Sequence, residues 1–415
     1  MTANLLPDKS ITLLTGATGA LGQEVLFQWL DSRQKQEHLL ILARGGKSRR
    51  EGSAEKRIHD LLRRSYKGER LVNALERITV LDGDVSLPLL GLNPHLFANV
   101  AGQIARIIHC AAAVRFDQPL DQAREINLDG TRNTLELALA ARRLGRMVKF
   151  DTVSTAYIAG KRGGIATENE LEHKKGFHNT YEQSKYEAEL LVRRYMGDLP
   201  ITIYRPSIII GNSQTGVTGN FKAFYWPIRI YAQGQVRAIP ADPSCRVDLV
   251  PVDYVARAML YLSDLKETVG QTFHLTAGRG NLVTVREVAD ASIAFFKVKP
   301  PVLFHPRYMA LLNGKVGRKM LGERTYKTLQ LGQPYYPYLG MRLEFDNNYT
   351  AKILSGGSIF APPVKDFFER LFRFCQETDW GRRNSIAGEK PESDPLPDAE
   401  PEETPFNLHE HPSLA

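Results

Sequence analysis

Residues 11–30 read "ITLLTGATGALGQEVLFQWL", an apolar strand that runs into three glycines and then a helix. A strand, a tight turn and an amphipathic helix together present free backbone N–H groups at the helix N-terminus, where the helix dipole favours an anion. The guest expected there is a phosphate. The glycines are Gly16, Gly19 and Gly22, a GxxGxxG spacing whose meaning comes from its place between strand and helix. Thr18 and Leu21 share the turn and count with the glycines as cofactor contacts.

Outward from this turn, "HLLILAR", "RITVLDGD", "ARIIHCAAA", "MVKFDTVST" and "ITIYRPSIIIG" read as further strands. Helical stretches separate them, from about 23, over 57–76, over 127–144 and over 181–195. Apolar strands alternating with helices give parallel βαβ units and a Rossmann-type doubly wound α/β sheet, with ligand at the carboxyl ends of the strands. Residues 1–211 are therefore expected to form a dinucleotide-binding domain. Beyond Gly211 the pattern loosens into loops and aromatic helices, read as a smaller substrate-binding region over 212–380 that is partly interleaved with the first. The acidic, Pro-rich stretch 388–415 has too few apolar residues to offset its ordering entropy, and disorder is expected.

Charge sharpens this division. The formal net charge is +8, but residues 389–415 hold eight acidic residues against Lys390 alone, so that stretch carries −7 and the remainder +15. A basic body suits nucleic acid, anionic lipid, a phosphorylated cofactor or an acidic protein, and composition does not choose among them. Cys110, Cys245 and Cys375 are few and far apart, which excludes a disulfide framework and fits a reducing compartment. Neither a secretory leader nor a run of about 18 apolar residues is evident. A cytoplasmic protein is expected, with membrane contact at most peripheral and no metal.

At the end of the second strand an NAD-type site places an acidic residue on the ribose 2′-hydroxyl. This chain has Arg44, with Lys47, Arg49 and Arg50 close behind. A guanidinium pairs bidentately with a 2′-phosphate, so NADP(H) is the cofactor expected. After the third strand comes "LDGDVS", where Asp84 is placed to accept from an adenine amino group, with Val85 beside it; the alternative for Asp84 is a simple turn residue.

The stretch "NTYEQSKYEAE" sets Tyr181 and Lys185 four apart, on one face of a helix. Proton transfer at neutral pH asks for a phenol more acidic than its free pKa of about 10, and a nearby ammonium lowers it. Behind a nucleotide turn and 26 residues beyond Thr155, this pair carries weight.

With these residues in hand, the chain from about 10 to 275 resembles the extended short-chain dehydrogenase/reductases. The motifs are "TGATGALG", "GDVS", "HCAAAVRFD", "INLDGTRNTLELA", "VSTAYIAG", "YEQSK" and "YRPSIIIG", in that family's order. The resemblance implies that Thr155 polarises the reacting carbonyl, Tyr181 supplies its proton, and Lys185 tunes Tyr181 and binds the nicotinamide ribose. Ser154 stands next to Thr155 and could share its role. It also implies that Ala111 and Ala112 line the cofactor channel, that Pro206 and Ser207 lie beside the nicotinamide, and that Asn127 braces the active-site strands.

Within that family, the pattern H-x-A-A-x-V-x-F followed by N-x-x-G-T looks most like the thioester reductases and fatty acyl-CoA reductases. This implies NADPH-dependent reduction of an acyl-CoA or acyl carrier protein thioester to an aldehyde, and onward to an alcohol in some members. Such a substrate is acidic, as a basic body would suit, and nucleic acid is not the partner expected. Family members often form homodimers. "FKAFYWPIRIYAQG" reads either as an acyl-channel wall or as core, and "PPVLFHPRYMALLNGKVGRKMLG" either as a segment lying on anionic lipid or as a packed helix. Competing readings keep the fold: a nucleotide-sugar epimerase or dehydratase, a 3β-hydroxysteroid-type dehydrogenase, an aldehyde or ketone reductase, or a cofactor-sensing binding protein. Arg44 disfavours the NAD-retaining sugar enzymes, and an intact Tyr181 and Lys185 disfavour a sensor.

Overall fold

A computed structural model of the chain describes residues 11–33, 36–46, 52–171, 173–312 and 314–383. Lys47, Arg49, Arg50 and the acidic stretch 388–415 lie outside the described residues.

Seven parallel strands form the central sheet: β1 (Ile11–Thr15), β2 (His38–Ala43), β3 (Ile78–Asp82), β4 (Ile104–His109), β5 (Lys149–Val153), β6 (Ile201–Pro206) and β7 (Thr272–Leu275). Their order is β7-β6-β5-β4-β1-β2-β3, so the winding reverses between β1 and β4. A crevice opens at such a reversal, beyond the carboxyl ends of the strands.

Side-chain alternation splits β1 and β2 between two cores. Leu14, Leu39 and Ile41 face one helical layer, which includes α1 (Ala20–Ser32), while Ile11, Leu13, Leu40 and Leu42 face another, which includes α2 (Gly130–Arg143) and α3 (Thr180–Arg194). Burial on both faces is what near-continuous apolar strands require.

Two details differ from the sequence expectation. The charged stretch 57–76 is two helices, Ala54–Ser65 and Gly68–Glu76, broken where Gly68 takes φ +53°, because its amphipathic pattern runs on across a turn that glycine alone makes comfortable. The strand β7 comes from beyond Gly211, after the helix α4 (Val252–Asp264) that packs on α1. Four residues are too short a run for periodicity to announce. The rest of the chain beyond Gly211 builds a second core, in which Tyr225, Ile230, Leu371 and Phe372 are buried, held by two-stranded ladders such as Ile208–Ile210 with Leu249–Pro251.

Candidate active site

The turn after β1 is shaped by close approach. Gly16 has φ +76°, and a Cβ there would stand 2.6 Å from the Ala111 nitrogen after β4. A Cβ on Gly22 would meet the Gly16 carbonyl, so that glycine lets α1 seat against the turn. Gly19 is the N-cap of α1; no side chain caps that end and no acidic residue occupies its first turn. The terminal N–H groups thus face the crevice with their dipole uncompensated, and the residues present fit a dinucleotide pyrophosphate.

The strand termini are tied together behind it. The buried His109 Nδ1 lies 2.8 Å from Thr15 Oγ1, and its Nε2 lies 3.3 Å from Thr131 Oγ1. The Thr131 hydroxyl donates to the Asn127 carbonyl, so it accepts from the His109 Nε2–H, which leaves Nδ1 to accept from Thr15. Burial, with Lys185 nearby, lowers the imidazole to about 3, and it stays neutral. Asn127 in turn accepts from Ala113 N and donates to Ala113 O and Ser184 Oγ, joining the loop after β4 to α3.

Ser154 and Thr155, two neighbouring hydroxyls, follow directly on the end of β5. The Thr155 hydroxyl donates to the Pro206 carbonyl at 3.3 Å and lies near the Tyr181 hydroxyl, whereas the Ser154 hydroxyl is buried on the side of the Glu189 carboxylate without a hydrogen-bond partner among the described residues. Lys185 Nζ donates to the Val153 carbonyl at 2.6 Å. Burial lowers this ammonium to about 8, so it is mostly charged at neutral pH. The phenol departs from the sequence expectation: burial pushes Tyr181 up to about 12, with Thr155 acting against the rise and the Glu182 charge adding to it. A protonated phenol is the form a proton donor needs. Burial also pushes the Cys110 thiol up to about 12, so the sulfur in this wall is no nucleophile at neutral pH.

At the other end of the crevice Arg44 is exposed, with Nη1 3.8 Å from Asp84 Oδ2. Asp84 Oδ1 accepts from Ser86 N and Ser86 Oγ, closing its own turn, and the Val85 carbonyl accepts from Asn133.

The glycine turn, the Thr155–Tyr181–Lys185 group and the Arg44–Asp84 pair border one continuous cleft of about 1800 Å³. It runs from Gly16, Thr18, Gly19, Leu21, Gly22, Arg44, Asp84 and Val85, past Ala111, Ala112, Ser154, Thr155, Tyr181, Lys185, Pro206 and Ser207, to an apolar half at Phe224, Trp226, Leu303, Leu331 and Tyr335. The aromatic stretch serves both expected ends: Phe224 and Trp226 line the cleft, while Tyr225 and Ile230 are buried in the second core.

Three groups were not singled out by sequence reasoning. Phe116 stacks on Tyr181 and on Tyr338, with centroids 5.6 and 5.4 Å apart. Tyr338 donates to the fully buried Glu182 and accepts from Asn179 Nδ2 at 2.7 Å, which anchors the start of α3 to the substrate side of the cleft. Arg205 forms a buried bidentate pair with Glu189, at 2.6 and 3.1 Å, fixing α3 to β6. The Phe of "HCAAAVRF" and the Arg of "YRPS" were the available signals.

A family model described as "Male sterility protein", of NAD-binding type, matches residues 14–259, more than half of the chain. The chain belongs to this family. With it comes the extended short-chain dehydrogenase/reductase fold and a nicotinamide-dinucleotide site. Among relatives of this family, "Fatty acyl-CoA reductase wat" of Drosophila melanogaster is 31% identical over 285 residues, covering 61% of this chain and 53% of that protein. "Probable fatty acyl-CoA reductase 4" of Arabidopsis thaliana is 26% identical over 395 residues, 79% of each chain. The chain thus spans about half the length of the Drosophila relative. Among solved structures, the terminal R domain from the myxalamid PKS-NRPS biosynthetic pathway superposes with a TM-score of 0.75 at 28% identity, over 91% of this chain and 92% of that one. A UDP-glucuronic acid 4-epimerase from Bacillus cereus in complex with NAD shares the fold, with a TM-score of 0.61 at 16% identity.

Proposed function

We propose that the chain is an NADPH-dependent reductase of acyl thioesters, carried on coenzyme A or an acyl carrier protein. The observation that carries this reading is the continuity of the cleft, from an uncapped helix N-terminus, past the paired hydroxyls of Thr155 and Tyr181, into a half walled by aromatic and aliphatic side chains. The reductase names of its relatives support the same chemistry. In functional terms the division near Gly211 separates cofactor binding from substrate binding, although β7 is contributed from the later part.

The bound dinucleotide supplies a hydride. Everything else falls to the chain. Thr155 and Tyr181 hold the thioester carbonyl oxygen by two hydroxyls, and as that oxygen becomes an oxyanion their preorganised dipoles stabilise it without solvent reorganisation. Tyr181, protonated at neutral pH, transfers its proton to the oxygen, giving a hemithioacetal. Collapse of the C–S bond then releases the thiol and leaves the aldehyde. Lys185 keeps a positive charge beside this centre and binds the ribose. Arg44 would hold the 2′-phosphate with its fork of donors, beside Asp84 Oδ2, which faces that guanidinium at 3.8 Å. In a second cycle the same hydroxyl pair would hold the aldehyde oxygen and Tyr181 would supply its proton, with the hydride that gives the alcohol coming from a second NADPH.

Incubation of the purified chain with NADPH and a long-chain acyl-CoA, followed by analysis of the organic phase, tests this. Aldehyde or alcohol in step with NADPH consumed is the expected result; oxidation of 3-hydroxysteroids or turnover of UDP-sugars without any thioester reduction would replace it.

A further inference from the structure

Residues 301–340 carry Arg307, Lys315, Arg318, Lys319, Arg324 and Lys327 against a single acidic residue, Glu323. Glu323 is matched by Lys327 at 3.3 Å, so the stretch keeps a strong positive excess. Its turn Pro306–Leu312 packs on the helix Gly314–Leu321, which packs on the helix Glu323–Leu331. Inward, Met309, Leu312, Leu321 and Leu329 join the second core.

The outward side is unusual. Leu311 is 71% exposed and Met320 70%, the two most exposed large apolar side chains among the described residues, and Val302 and Tyr308 of the same stretch are exposed as well. Simple solvation explains cations on a surface, but not apolar side chains raised among them. Leu303 and Leu331, just inside this stretch, line the apolar half of the cleft, so the surface forms part of its rim.

We propose that this surface docks on an anionic lipid bilayer, with Leu311 and Met320 inserted at the acyl boundary and the surrounding Lys and Arg on headgroup phosphates. An acidic protein would satisfy the charge. Apolar side chains that project beside an apolar cleft mouth favour lipid, since a long acyl chain then enters the cleft without crossing water. That purpose rests on the acyl reading above; the docking itself does not.

Co-sedimentation of the purified chain with phosphatidylcholine vesicles, with and without phosphatidylserine, is the test. The chain is expected to pellet with the anionic vesicles, to remain soluble with phosphatidylcholine alone, and to be released by salt. Leu311→Glu with Met320→Glu, and separately Lys315→Glu with Lys319→Glu, should each reduce partitioning at least about tenfold. Unchanged NADPH binding certifies that both variants are folded. Failure of the parent chain to pellet, or wild-type partitioning of both variants, overturns the proposal. Binding of soluble acyl carrier protein through Lys315 and Lys319 with no vesicle binding would also overturn it, assigning the face to a protein. Vesicle binding without thioester turnover would remove the acyl reading alone and leave the docking surface in place.

Discussion

The Phe116 ring lies over the Tyr181 ring, with centroids 5.6 Å apart and planes 29° from parallel. Phe116 also touches Tyr335 and Tyr338, so one side chain from the loop after β4 links Tyr181 to the apolar half of the cleft. Phe116→Ala should leave NADPH binding intact and lower kcat/KM for long-chain substrates about 10- to 100-fold, mostly through a loosened Tyr181. Steady-state kinetics alongside cofactor titration checks this.

Arg44 is exposed, faces Asp84 at 3.8 Å, and borders the same end of the cleft as Arg64. Arg44→Asp should raise the Kd for NADPH by about 10- to 100-fold and change that for NADH little. Cofactor fluorescence titrations report both; an unchanged preference would assign the 2′-phosphate elsewhere.

The buried Asp248 accepts from Ser207 Oγ at 2.6 Å and Ala277 N at 2.8 Å, and burial raises it from 3.8 to about 6. The folded state therefore holds this proton more tightly than the unfolded state. Its contribution to stability is complete below about pH 3.8 and is lost as pH rises through about 6. Asp248→Asn keeps an acceptor oxygen for both donors and removes the buried charge. It should stabilise the protein by about 2–3 kcal/mol at pH 8 and flatten the pH dependence of Tm between pH 4 and about 7, as melts across that range will show.

Arg205 and Glu189, each 2% exposed, are the buried pair that clamps α3 to β6. Arg205→Ala leaves a carboxylate without its bidentate partner and should cost about 3–5 kcal/mol, measured by denaturant unfolding. Arg205→Lys should recover only part of that, since an ammonium cannot reproduce the fork.

These residues also show which parts of the molecule a sequence discloses. The turn after β1 is legible because Gly16 takes φ +76° and Gly22 answers to the nearby Gly16 carbonyl, and such local backbone demands leave a fixed spacing. Tyr181 and Lys185 are legible for the same reason, being four apart on one helix. Phe116 and Tyr338 meet across more than two hundred residues, and nothing in either local pattern records the encounter. The difference between Ser154 and Thr155 depends on where the strand ends: the Thr155 hydroxyl reaches the Pro206 carbonyl beside Tyr181, while that of Ser154 is buried without a hydrogen-bond partner among the described residues. The raised phenol of Tyr181 is not written in the spacing, because it comes from burial, which a pair four residues apart does not record.

The most direct measurement follows NADPH absorbance at saturating long-chain acyl-CoA, for the parent chain and for Tyr181→Phe, with NADPH affinity determined for both. The account predicts steady oxidation by the parent chain, a loss of about 10²- to 10⁴-fold in Tyr181→Phe, and equal affinity for the cofactor. Equal turnover in the two proteins, or tight NADPH binding with no oxidation by CoA-bound or carrier-bound thioesters, would contradict it.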